Sequence, residues 1–163
     1  MHCLRTHHRQ QSAIAPRRGA ATVEFALVAP LFLILILGVA EYGTAINAYN
    51  IITSAVREGG RLASMDFSSY VTSSQTANDK VIRDIRAFIT ASGLPGNAME
   101  ITITDAETGG PFDLADGENY LRYFRISVKV PYTQVSNFPL AYMDGHQVNT
   151  NMVFRRGRVQ IVQ

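Results

Sequence analysis

The chain has 163 residues, 47% of them hydrophobic and only 17% charged, with a formal net charge of +2. That length fits one modest domain plus a membrane segment. Four arginines (Arg5, Arg9, Arg17, Arg18) lie before residue 20; without them 11 of the 15 basic residues face 13 acidic ones, a net of −2. A mildly acidic remainder with few lysines offers no basic surface to nucleic acid, so no nucleic-acid partner is expected.

Residues 1–19 read as a basic cytoplasmic leader. Its lone cysteine, Cys3, has no apolar run before it, so it is not a lipoprotein acceptor, and without a second cysteine no disulfide can form. His2, His7 and His8 cluster there, but no second ligand group lies nearby, and a polar leader is the simpler reading than a metal site.

From Ala20 to Ala40 the sequence is apolar for 21 residues, interrupted by one carboxylate, Glu24. A helix of that length spans the roughly 30 Å hydrocarbon core at about 1.5 Å per residue. The four arginines precede it, and the first basic residues after it are Arg57 and Arg61. The positive-inside rule therefore places the N-terminus in the cytoplasm and the rest of the chain outside, as a single-pass protein. Gly38-Val39-Ala40 also satisfies the small-x-small pattern of a secretory cleavage site. The uncharged run Phe25–Ala40, at 16 residues, is slightly long for a signal sequence, and Glu24 is out of place in one. A retained anchor is favoured; a soluble β-rich binding domain released after Ala40 stays open. Pro30 removes one helical hydrogen bond and crowds the carbonyl of Ala26, which predicts a kink.

The helical period continues over residues 41–63. Tyr42, Ala45, Ile46, Tyr49, Ile52, Ala55, Val56 and Leu62 recur every three or four residues, predicting an amphipathic extension with that stripe buried. Gly59-Gly60 weakens the pattern near its end. Residues 64–163 form the remaining domain. Ser64 to Thr76 reads as a polar linker. A second helix is predicted from Asp79 to Ser92, capped by Asn78, with Val81, Ile82, Ile85, Phe88 and Ile89 on one face and Gly93 and Pro95 ending it.

The period then changes to alternation. Met99, Ile101 and Ile103 mark one strand, Phe124, Ile126, Val128 and Val130 a second, and Val148, Thr150, Met152 and Phe154 a third. After Gly157 the apolar positions change parity to Val159 and Ile161, which predicts a bulge at Gly157. Arg155, Arg156 and Arg158 read as solvated charges at a strand edge. Asp113, Asp116 and Glu118 lack the spacing of a calcium loop and read as a solvated turn. There is no nucleophile elbow, phosphate-binding loop or Cys/His metal spacing. No catalytic residue, cofactor, metal or small-molecule substrate is therefore expected, and the chain does not read as an enzyme.

The run Arg17-Arg18-Gly19-Ala20-Ala21-Thr22-Val23-Glu24-Phe25, entering the apolar helix at once, resembles the processing and membrane region of the TadE-like family of Tad (tight adherence) pilus assembly proteins. The resemblance covers roughly Arg18 to Arg61. It implies removal of the leader between Gly19 and Ala20 by a membrane prepilin peptidase, with Glu24 fifth and Phe25 sixth in the product. It further implies a minor pilin or pseudopilin-like role among other Tad pilins and assembly proteins at the bacterial inner membrane. Glu-Phe in place of the Glu-Tyr of major pilins of these systems, together with a large outer domain, favours a minor or assembly role over the main filament subunit. Pairing of Glu24 with the Ala20 amine of its own or a neighbouring chain would align subunits. An uncleaved inner-membrane scaffold of the same system is the alternative. The expected fold is α+β and pilin-like: a long N-terminal transmembrane helix continuing outward, a second helix, and a small antiparallel sheet of three to four strands.

Overall fold

The computed structural model describes residues 18–65, 76–136 and 145–157. The chain divides into two compact units, Met1–Gly38 and Val39–Gln163. In the first, the described residues form the N-terminal part of one helix, α1, which runs from Arg18 to Ala63. Pro30 is inside the helix and does not end it. The large side chains of this part are exposed, Phe25, Leu31, Ile34 and Leu35 among them by more than half.

In the second unit α1 continues with a different face inward. Glu41, Ala48, Ile52, Ala55, Val56, Gly59, Gly60 and Ala63 are buried, with Ala45 and Leu62 half-buried. The stripe expected from the sequence is therefore only half right, because Tyr42, Ile46 and Tyr49 are exposed at 69%, 44% and 48%. The residues that turn inward are mostly small, which lets the helix backbone come close to its neighbours. Gly59 and Gly60 mark the closest approach and do not end the helix. A Cβ on Gly59 would sit 2.3 Å from the Ile85 side chain, and one on Gly60 would sit 2.1 Å from the Phe154 ring.

Helix α2 spans Ala77–Ala91. Its cap is Thr76, not Asn78: the Thr76 hydroxyl accepts from the Asp79 amide at 3.1 Å. Asn78 lies one turn-position inside and uses its side chain elsewhere, donating to Phe112 O at 2.7 Å and accepting from Leu114 N at 2.9 Å. Ala77, Val81, Ile85 and Ile89 form the buried face. The helix ends as the sequence predicts. Gly93 adopts φ +87°, Gly93 N bonds Thr90 O at 3.0 Å and Leu94 N bonds Ile89 O at 3.2 Å, a Schellman pair that satisfies the last carbonyls.

Three antiparallel strands follow in the order β1-β2-β3: β1 Glu100–Asp105, β2 Tyr123–Pro131 and β3 Gln147–Arg155. Ile103 pairs with Ile126, and Ile126 with Met152. Phe124, Ile126, Val128 and Val130 of the central strand are fully buried, joined by Ile101 and Ile103 on one side. Phe112 and Leu114, from the long connection between β1 and β2, complete the core. Phe124 bridges the rings of Phe112 (centroids 5.4 Å apart) and Phe154 (5.8 Å). The predicted continuation through Val159 and Ile161, and most of the predicted linker, lie outside the described residues.

Candidate functional site

The residues singled out from the sequence lie along the start of α1. Gly19 and Ala20 are its second and third residues, and a Cβ on Gly19 would meet no atom within 4 Å. Glu24 and Phe25 are both exposed, Phe25 at 73%. Among the described residues Glu24 belongs to none of the ion pairs. Gly19–Ala63 is the one helix among the described residues long and apolar enough to cross a membrane, with a mean hydropathy of 2.6 over its most apolar 18-residue window and none of that window buried. Such a surface is unfavourable in water and needs an apolar surrounding, because a continuous apolar area of this size exceeds what soluble monomers expose.

Just past this run, sequence reasoning missed a polar pair. Glu41 is buried, at 3% exposure, and its Oε1 accepts from the Tyr132 hydroxyl at 2.6 Å and from the Ser136 hydroxyl. The two hydroxyl donors on Oε1 offset part of the cost of burying the carboxyl group. The pair ties α1 to the 3-10 turn Tyr132–Gln134 that leaves β2. Glu41 follows immediately on Ala40, so its polarity looked like the simple end of an apolar run.

A second tie closes the other end of α1. Arg156 is 1% exposed, against the expectation of a solvated edge charge. Its guanidinium donates to Met65 O, lies 3.5 Å from Ala63 O, and stands 5.4 Å from the centre of the Tyr120 ring. A cation there meets the partial negative charge of the helix C-terminus. Gly157 N donates to Ser64 O at 2.9 Å, and a Cβ on Gly157 would sit 2.6 Å from that same oxygen, so the approach requires glycine. Arg155 fits the expectation better: it is exposed, with its Nε donating to Leu121 O at 3.1 Å.

The acidic connection forms turns, as expected. Asp113 Oδ1 accepts from Ala115 N at 2.8 Å and Asp116 Oδ1 from Glu118 N at 2.9 Å. They line an open cleft of about 500 Å³ with Thr76, Asn78, Phe112 and Asn119. Among the described residues no group of three His, Cys, Asp or Glu side chains is placed to hold a metal ion. Asp105 is held below its ordinary range. The amides of Thr108 and Glu107 donate to its Oδ1 at 2.9 Å each, outweighing burial, and Arg122 pairs with Oδ2 at 2.6 Å.

Comparison with curated proteins and with solved structures gives no match. The family model described as TadE-like protein matches residues 19–61. That match starts at the glycine of the predicted processing site and ends at Arg61, two residues before the end of α1. The similarity to the TadE-like family is confined to this segment, 43 of the 163 residues.

Proposed function

We propose that the protein is a single-pass membrane component of a Tad-type pilus assembly system, a minor pilin or pseudopilin-like subunit and not an enzyme. The observation that carries this reading is the coincidence of three limits. The TadE-like match covers residues 19–61, the unburied apolar window lies in its first part, and its second part is the helix on which the α+β core is built. A helix that is apolar all round and then sharply one-sided suits a segment held first by lipid and then by a folded domain.

In this reading the leader stays on the cytoplasmic side and is cut between Gly19 and Ala20 by a prepilin peptidase. The domain lies outside the inner membrane and contacts other Tad pilins and assembly proteins. Glu24, exposed near the start of a lipid-embedded helix, needs a cation, and the new Ala20 amine of its own or a neighbouring chain supplies one. Pairing between chains selects one axial register, because neutralisation is available only there. Release after Ala40 is the alternative: it would make Glu41, whose buried carboxylate is held by Tyr132 and Ser136, the first residue of a freed domain.

The test is Glu24→Gln, which keeps the shape and removes the charge. The expected outcome is a variant that inserts and is cleaved normally but fails to co-purify with pilus or assembly partners. Normal association would mean that Glu24 serves only peptidase recognition.

A further inference from the structure

The two edges of the sheet are treated differently. At β1 the outer edge is short and partly covered: Asp105 N bonds Gly110 O at 2.8 Å, Thr104 bridges to Pro111, and charged Glu100 and Asp105 stand at its ends. At β3 nothing comparable is present among the described residues. Arg156 N bonds Arg122 O at 2.9 Å and Tyr132 N bonds His146 O at 2.8 Å, so even-numbered residues of β3 exchange bonds with β2. Antiparallel pairing then turns the N–H and C=O groups of Gln147, Asn149, Asn151 and Val153 away from β2. Among the described residues none of these four has a backbone hydrogen bond on that side.

Two further features mark this edge as open. From Gln147 to Phe154 it contains no charge, proline or bulge, the devices that keep free edges from pairing. Of its core-facing residues Thr150 is buried, but Val148, Met152 and Phe154 are only half-buried, whereas the central-strand residues beside them, Phe124, Ile126, Val128 and Val130, are fully buried. The core is thus one strand short of cover on the β3 side and closed on the β1 side.

We infer that β3 is a strand-addition site that takes an extended segment of a partner chain. The ladder specifies the occupant's backbone, because only an extended chain supplies donors and acceptors at the strand repeat, about 4.8 Å from β3. The half-buried residues specify its side chains. Those facing the core are apolar or β-branched and cover Val148, Met152 and Phe154, while those facing out are uncharged and lie beside Asn149, Asn151 and Val153. An acidic residue fits only at the end next to Arg155. This inference does not depend on the assembly reading.

The experiment uses the full chain in detergent micelles and the peptide acetyl-Thr-Val-Thr-Ile-Thr-Val-Thr-amide, with amide hydrogen exchange followed residue by residue. At saturating peptide the Asn149, Asn151 and Val153 amides should slow by about tenfold or more, while Ile101 and Ile103 on the other edge stay unchanged. In an antiparallel addition the outward-facing threonines bond to β3 and in a parallel one the valines and isoleucine do, so N-methylation of one set should abolish the effect and N-methylation of the other should leave it. Val153→Pro removes one outward donor without touching the β2 ladder and should remove the protection; if that variant does not fold, the two methylated peptides decide. Protection absent from β3, or equal on β1, overturns the inference. So does a β3 edge already slow without peptide in a concentration-dependent way, which would make a second copy of this chain the occupant.

Discussion

Glu41 and Tyr132 offer a sharp test of how the domain is fastened to its helix. The Tyr132 hydroxyl donates to Glu41 Oε1 at 2.6 Å, and the carboxylate is 3% exposed, so water cannot replace the bond easily. A hydrogen bond to a charged group contributes roughly 1.5–3 kcal/mol. Tyr132→Phe should therefore destabilise the domain by about 2 kcal/mol, a fall in midpoint on the order of 10 °C for a unit of this size. Glu41→Leu should cost more than that, since it leaves the hydroxyls of both Tyr132 and Ser136 without this acceptor. The decisive quantity is the coupling between them. In a double-mutant cycle read by near-UV dichroism of the tyrosines in detergent, the combined variant should be less destabilised than the sum by about 1–2 kcal/mol. Effects that add to within about 0.3 kcal/mol would show that the two groups do not act together, and the reasoning would fail.

Intact-mass analysis of membrane-extracted protein should give a chain starting at Ala20, and Gly19→Leu should leave the leader attached. A start at Glu41 would instead mean a released domain. Gly60→Ala should destabilise by about 1–3 kcal/mol despite the better helix propensity of alanine, because its Cβ would fall on the Phe154 ring; Phe154→Leu in the same chain should recover part of that loss in a chemical denaturation series. Asp105 gives a pH dependence. Its folded pKa lies below the reference value of 3.8, so its contribution is present above that value and is lost as pH falls through the folded one. Asp105→Asn should flatten this acid limb of the stability profile, and an unchanged limb would assign the loss to other carboxyls.

Much of this architecture is legible in the sequence because the signals are local. Twenty-one residues of apolar composition mark the helix of the first unit, and strict alternation marks the strands to within about a residue, except that β3 ends at Arg155 and Gly157 is not the bulge expected there but bonds Ser64 O. Gly93 ends α2 because a positive φ is cheap there. The misses are long-range. Asn78 looked like a helix cap, since nothing in its neighbourhood shows that its partners lie 34 and 36 residues on. Arg156 looked solvated because the carbonyls of Ala63 and Met65 that hold it are more than 90 residues away. On α1, hydrophobicity pointed to the exposed Tyr42, Ile46 and Tyr49 as well as to the buried Ile52, Ala55 and Val56, whereas close packing also selected the small residues Ala48, Gly59 and Gly60 for the interior. Size decided the buried face more than polarity did. At the proposed processing site, Gly19, Glu24 and Phe25 were found through their order in the chain, and the fold adds only that all three stand on one exposed helical segment.

A single-pass anchor with the domain outside the cytoplasm is what the proposed role most requires. A reporter that is active only outside the cytoplasm, fused after Gln163 of the full chain, tests this directly when activity and membrane retention are read on the same fractions. The account predicts an active reporter that sediments with membranes and resists extraction by high salt. An inactive reporter would contradict the orientation drawn from the arginines before Gly19, and an active but freely soluble one would contradict the anchor itself.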